Sequence, residues 1–183
     1  MRHTLRTFQT IAATLALTGA AHAAPQVQLS PTTASLLPGG MVELTIAGTG
    51  FDMTTVGGGL SLQWNPDVLD LDSVVVDTTT WEFARSGGLL DAASGTLSDL
   101  YFASFIGRSG NFGIATLRFV ADKPGDTLVA MSASIDFPFA DEMAEVMPVG
   151  FSGAEITVAV PEPTTALLLL GGLAGLAWRR RAA

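Results

Sequence analysis

The chain has 183 residues, 48% of them hydrophobic, with no cysteine, two histidines and a formal net charge of −8. The missing cysteines exclude a disulfide framework, a thiolate zinc site and a cysteine nucleophile. Both histidines, His3 and His22, fall within the first 23 residues, and residues 24–160 hold four bases (Arg85, Arg108, Arg118, Lys123) against 16 acids, a net charge of −12; that stretch has no Ser-His-acid triad and repels nucleic acid and anionic lipid, so neither is an expected partner.

In chain order, residues 1–23 combine a basic start (Arg2, His3, Arg6), an apolar stretch at 11–17 and the small-x-small site Ala21-His22-Ala23. This pattern predicts a signal peptide with Ala23 as the last residue removed. A cut after Ala24 is disfavoured because Pro25 would follow the scissile bond, and an uncleaved N-terminal anchor is the alternative. Residues 24–159 suit one domain with a sizeable core.

That middle segment reads as all-β. Residues 27–29 and 41–47 alternate at period two, with Val42, Leu44 and Ile46 opposite Glu43 and Thr45, and Leu37-Pro38-Gly39-Gly40 supplies a turn between them. Residues 60–64 place Leu60, Leu62 and Trp64 on one face, which assigns Trp64 to the core. Asn65-Pro66-Asp67 breaks that strand, Val68-Leu69 makes one helical turn, and 71–76 resumes as strand. Residues 78–94 are irregular. Strands follow at 97–105, 113–120 and 127–135, with Lys123-Pro124-Gly125-Asp126 turning before the last of them. Residues 137–153 form a loop with an acidic knot, and 155–160 closes the domain. About nine short strands with Gly/Pro turns predict a β-sandwich.

Few residues in this segment point to chemistry. Asp70, Asp72 and Asp77 flank one strand, and Asp136, Asp141, Glu142 and Glu145 cluster in the late loop. Oxygen ligands of this kind suit Ca²⁺, but no Asp-x-Asp-x-Asp-Gly loop is present, and scattered carboxylates are the ordinary surface of an acidic exported domain. No metal or other cofactor is therefore expected, with Ca²⁺ as the alternative. A carboxylate pair for glycoside hydrolysis needs a fixed separation that sequence does not show, so no catalytic residue is assigned. Trp81, Phe83 and Arg85 in the irregular segment are the candidate ligand-binding residues, since an exposed aromatic beside polar groups stacks on sugars. The competing reading has the two aromatics plugging the open end of the sandwich. Tyr101, Phe102 and Phe105 read as packing residues of a strand.

The tail has its own grammar. Pro161-Glu162-Pro163 precedes Thr164-Thr165, a run of only Ala, Leu and Gly from 166 to 177, Trp178, and Arg179-Arg180-Arg181. Pro163 cannot extend a helix backwards, Trp178 fits an interfacial anchor, and the arginine triplet is the membrane stop held on the cytoplasmic side. A transmembrane helix at 164–178 spans about 22 Å at helical rise, short for a core about 30 Å thick. That length suits a temporary tether; a short buried C-terminal helix is the alternative.

These three parts in this order resemble the PEP-CTERM protein-sorting signal, over residues 160–183. The resemblance implies recognition through Pro161, Glu162 and Pro163 and processing by an exosortase at the inner membrane. It further implies delivery to the cell surface or into exopolysaccharide. The middle segment resembles the cohesin family. Gly59-Leu60-Ser61-Leu62-Gln63-Trp64-Asn65-Pro66-Asp67-Val68-Leu69-Asp70-Leu71 is similar to that family's glycine–strand–aromatic–x–proline pattern, Gly113-Ile114-Ala115-Thr116-Leu117-Arg118-Phe119 to a later strand, and residues 153–158 to the closing one. This second resemblance implies a nine-stranded jelly-roll sandwich related to bacterial carbohydrate-binding modules, and a dockerin as one class of partner. No contact residue carries over, because the family's binding face varies. The expected function is a non-enzymatic adhesive or structural module that contacts exopolysaccharide or a surface protein. The alternatives are a cohesin-type receptor for a dockerin-bearing protein and a carboxylate-dependent carbohydrate-active enzyme.

Overall fold

The computed structural model describes residues 24–160. The expected signal peptide at 1–23, the Pro161-Glu162-Pro163 motif, the helix at 164–178 and the arginine stop lie outside the described residues.

Eleven strands make up the described chain: β1 Gln26–Ser30, β2 Thr33–Leu36, β3 Met41–Gln63, β4 Leu69–Val76, β5 Ala84–Ser86, β6 Leu89–Asp91, β7 Thr96–Ala121, β8 Gly125–Ala133, β9 Ala140–Asp141, β10 Gly150–Ser152 and β11 Ala154–Val158. The expectation of about nine is corrected in two ways. Strands read separately at 41–47 and 60–64 are one continuous β3, and those at 97–105 and 113–120 are one continuous β7. Short strands β5, β6, β9 and β10 also occupy segments read as loops, and β2 occupies a stretch to which no strand is assigned from sequence.

The two long strands pair antiparallel along their whole length, from Met41↔Val120 to Gln63↔Thr96, with register shifts between Gly48 and Gly57. Gly50 (φ 69°), Gly107 (φ 69°) and Gly110 (φ 74°) take left-handed backbone at those shifts. Only glycine does so without strain, and bulges of this kind bend a ladder and re-aim it. The bent β3–β7 ladder therefore passes from one layer of the sandwich to the other. Its outer half builds a first layer with β10 and β1 on one side and β4 on the other. Its inner half builds a second layer in the order β2, β11, β8, β3, β7, with β5 and β6 on the β7 edge.

Alternation packs the core between the layers. Leu29, Leu44, Ile46, Leu60, Leu97, Leu100 and Phe119 are fully buried, and Trp64 is buried as expected, its Nε1 donating to the Leu69 carbonyl at 2.9 Å. Trp64 meets Phe119 edge-on, with centroids 5.2 Å apart. At the bend of the β3–β7 ladder, Phe51, Phe112, Phe139, Phe102 and Trp81 form a second aromatic cluster, with neighbouring centroids from 4.5 to 6.1 Å. Rings at these separations gain edge-to-face and offset contacts beyond simple area burial.

The registers also place the two chain ends. Gln26 lies opposite Thr49 and Gly150 at the bent end, whereas Val158 lies opposite Gly125 and Leu36. The described chain thus enters at one pole of the sandwich and leaves at the other.

Candidate functional site

The segment from Val76 to Ser86 carries the three residues singled out as ligand-binding. It starts from a tight cap. Asp77 Oδ1 accepts hydrogen bonds from the Thr79 amide (2.9 Å) and hydroxyl (2.7 Å), and Oδ2 accepts from the Thr80 hydroxyl (2.6 Å). The Thr80 hydroxyl first, and then Thr79, hold the Asp77 carboxyl below the usual carboxylate range. The turn then delivers the Trp81 amide to the Asp77 carbonyl at 3.0 Å. Because the folded carboxyl titrates lower than the unfolded one, the stabilisation is complete above the unfolded value of about 3.9. It is lost as pH falls through the folded value. Asp77→Ala is expected to lower stability by about 1 kcal/mol near neutral pH. In denaturant melts that difference should shrink as pH drops below about 4; a pH-independent difference would count against the cap.

The structure corrects the assignment of Trp81. Its ring is fully buried between Phe102 and Phe112, and its Nε1 donates to the Gly113 carbonyl at 2.9 Å. It plugs the end of the sandwich and is not available for stacking on a ligand. Phe83 is 56% exposed and lies 3.9 Å, centroid to centroid, from Phe105, itself 73% exposed. The expectation that Phe105 packs internally is thereby corrected: Tyr101, Ala103 and Phe105 share the outward side of β7, while Phe102 points in. Arg85 is exposed, and its Nη1 donates to the Trp81 carbonyl at 3.3 Å.

Glu82 fixes this ledge. Its Oε1 accepts from the Ser104 hydroxyl (2.9 Å) and the Phe105 amide (3.0 Å), and its Oε2 lies 3.8 Å from Arg108 Nη2. Its own backbone N–H, the Ser104 hydroxyl and Arg108 together keep the carboxyl low. Beside the ledge, Tyr101 stacks on Phe137 with centroids 4.4 Å apart. Gly59 makes room for that pair, since a Cβ there would stand 2.7 Å from the Phe137 Cβ. Residues 56–58, Ala84, Ala103, Pro138 and Ala140 line a shallow groove of about 270 Å³ together with the Tyr101–Phe137 pair.

The rest of this outer face is small and uncharged near its centre: Ser61 and Ser132 are paired neighbours, as are Gln63 and Ala130. The first layer's outer face is different. There Glu43 opposes Arg118, and Arg118 reaches Asp72 at 3.9 Å. One face is charged and self-paired; the other offers aromatic rings and a smooth floor. No group of three or more acidic side chains converges among the described residues in a way that could hold a metal ion. Asp72 and Asp77 are engaged as above, and Asp141 Oδ1 accepts the amides of Met143 and Glu145, each at 2.9 Å.

Residues 159–181 match the PEP-CTERM protein-sorting motif, a span that contains Pro161, Glu162, Pro163 and the arginine triplet. No curated protein matches the chain. Among solved structures, the chain resembles CaCohA2 from Clostridium acetobutylicum (18% identity, TM-score 0.58, covering 75% of this chain and 94% of that one). It also resembles a non-cellulosomal cohesin from the hyperthermophilic archaeon Archaeoglobus fulgidus (12%, 0.62, 79% and 97%). A third match is the sixth cohesin of scaffoldin B from Acetivibrio cellulolyticus, solved in complex with a Cel5 dockerin (13%, 0.61, 75% and 100%). At these identities the likeness shows the fold. The chain is an all-β, cohesin-like sandwich followed by a PEP-CTERM sorting motif.

Proposed function

We propose that the protein is an exported, non-catalytic docking module, sent through its sorting motif to the membrane for processing by an exosortase and then displayed at the cell surface or in exopolysaccharide. The observation that carries the docking role is the aromatic outer face of the second layer, where Phe83 and Phe105 stand exposed and Tyr101 and Phe137 line a groove. Exposed apolar groups of this extent on one face mark interaction surfaces, and aromatic anchors dominate the energetics of protein partners. The cohesin-like fold favours a protein partner, a dockerin-bearing protein among them, and a non-enzymatic role.

A second reading, carbohydrate adhesion, is favoured by the exposed Phe83–Phe105 pair, rings that can stack on sugars. The test separates the two. Phe105→Ala should leave the melting temperature nearly unchanged and weaken capture of surface or dockerin-bearing proteins at least tenfold. Glycan arrays should respond to the same variant if sugar is the ligand. Retention of every interaction by Phe83→Ala and Phe105→Ala together would remove this face from consideration.

A further inference from the structure

Two features of opposite character flank β3 at the bend of the β3–β7 ladder. Thr55 lies opposite Arg108 of β7 on one side and opposite Asp141 of β9 on the other. Arg108 borders the ledge through Glu82, and on that ledge Phe83, Phe105 and Ile106 are exposed. Two arginines grip its entry turn: Arg85 donates to the Trp81 carbonyl at 3.3 Å and Arg108 to the Thr80 carbonyl at 3.2 Å. At the other bases of the described residues acids are in excess, with Glu43 and Asp72 around Arg118 and Asp67 and Asp122 around Lys123. Here two arginines share one ion pair, to Glu82, because Thr79 and Thr80 take up the Asp77 carboxylate. Arg85 itself faces no carboxylate among the described residues.

Across β3 the chain forms a knuckle. Asp141 Oδ1 holds the amides of Met143 and Glu145, and the Ala144 amide donates to the Asp141 carbonyl at 3.0 Å. This tight turn presents Glu142, Met143, Glu145 and Val146, all of them exposed, with Met143 at 84%. Neither glutamate meets a base among the described residues. An apolar tip between two carboxylates is the complement of aromatic rings near an unpaired guanidinium.

We propose that this face binds a second copy of the chain about a two-fold axis near Thr55, the knuckle of each copy seated on the ledge of the other. The inference rests on the reading of the ledge as a docking surface and names its occupant. A two-fold interface needs one patch that holds both complementary halves. Ledge and knuckle, on either side of one strand, meet that condition. In the dimer Met143 and Val146 cover Phe83 and Phe105, and Glu142 pairs with Arg85. Aromatic rings, methionine and arginine are the residue types that anchor protein interfaces. Each copy carries a net charge of −12 over residues 24–160. Physiological salt screens that repulsion beyond about 8 Å and leaves pairs in contact effective. Display of many copies on one surface raises their effective concentration and favours the contact.

Sedimentation of the mature exported chain, in about 0.15 M salt and at up to about 0.5 mM protein, measures the association. The natural chain should dimerise. Arg85→Glu and Glu142→Arg alone should each weaken the dimer at least about tenfold, since each sets like charges together. Their equimolar mixture should regain it, because the reversed ledge then faces the reversed knuckle and the natural ledge the natural knuckle. Rescue in the mixture also reports that both variants fold. Association that both variants leave intact, or a mixture that fails to regain it, overturns the proposal. A natural chain that stays monomeric throughout overturns it as well. The docking role of the ledge is then decided separately, by whether Phe105→Ala loses capture of surface proteins.

Discussion

Trp81→Ala is expected to lower stability by about 3–5 kcal/mol, among the largest effects of any single replacement in this domain. The indole is fully buried, packs 4.5 Å from Phe102 and 5.3 Å from Phe112, and satisfies the Gly113 carbonyl. Truncation removes the ring contacts, opens a void that the close-packed aromatic cluster fills only in part, and leaves a part-buried acceptor without its donor. Trp81→Phe keeps most of the packing and loses the hydrogen bond, so about 1–2 kcal/mol is expected. Urea melts followed by circular dichroism measure both. An unchanged midpoint for Trp81→Ala would contradict its burial. The contrast with Phe105→Ala is the informative comparison, because the exposed ring contributes little to folding and much to docking.

Ending the chain at Val160 is expected to leave folding intact and abolish sorting. The last strand, β11, ends at Val158, and the Ala159 amide still donates to the Leu36 carbonyl at 2.8 Å, so the truncated domain keeps its closing ladder. Residues 159–181 carry the sorting motif and lie almost wholly beyond that point. The truncated protein should melt like the parent and escape membrane processing, as judged by cell fractionation and intact mass. Glu162→Ala should act in the same direction. Unchanged mass and location for both would remove the motif from the sorting pathway.

The architecture was legible wherever apolar residues kept a period of two. Val42, Leu44 and Ile46, then Leu60, Leu62 and Trp64, alternate cleanly and are all buried. What alternation misses is a strand that continues through a bulge. Between Gly48 and Gly57 the register of β3 shifts several times, so no single period survives and two strands are read where one exists. The short strands β5, β6, β9 and β10 were invisible for another reason. They are held by pairing to β7, β3 and β1, and their own sequences carry little β signal.

The site was half legible. Aromatic content near residue 81 marked the candidate segment, but which ring faces out depends on the Asp77 turn, a tertiary fact. Phe105 was recoverable from parity: it shares a side of β7 with Tyr101 and Ala103, opposite Phe102. The fully buried Leu97 and Leu100, three residues apart, break that parity earlier in the strand, where Asp99 takes φ 56°.

The position of β11 has a mechanical consequence. It is the strand from which the sorting segment departs, and it is gripped on both sides, antiparallel to β8 and parallel to β2. A pull from an anchored tail runs along the strand axis and loads both ladders in shear, so their hydrogen bonds resist together and do not open one at a time. A partner seated near the opposite pole would transmit its load through the length of the sandwich to that clamp.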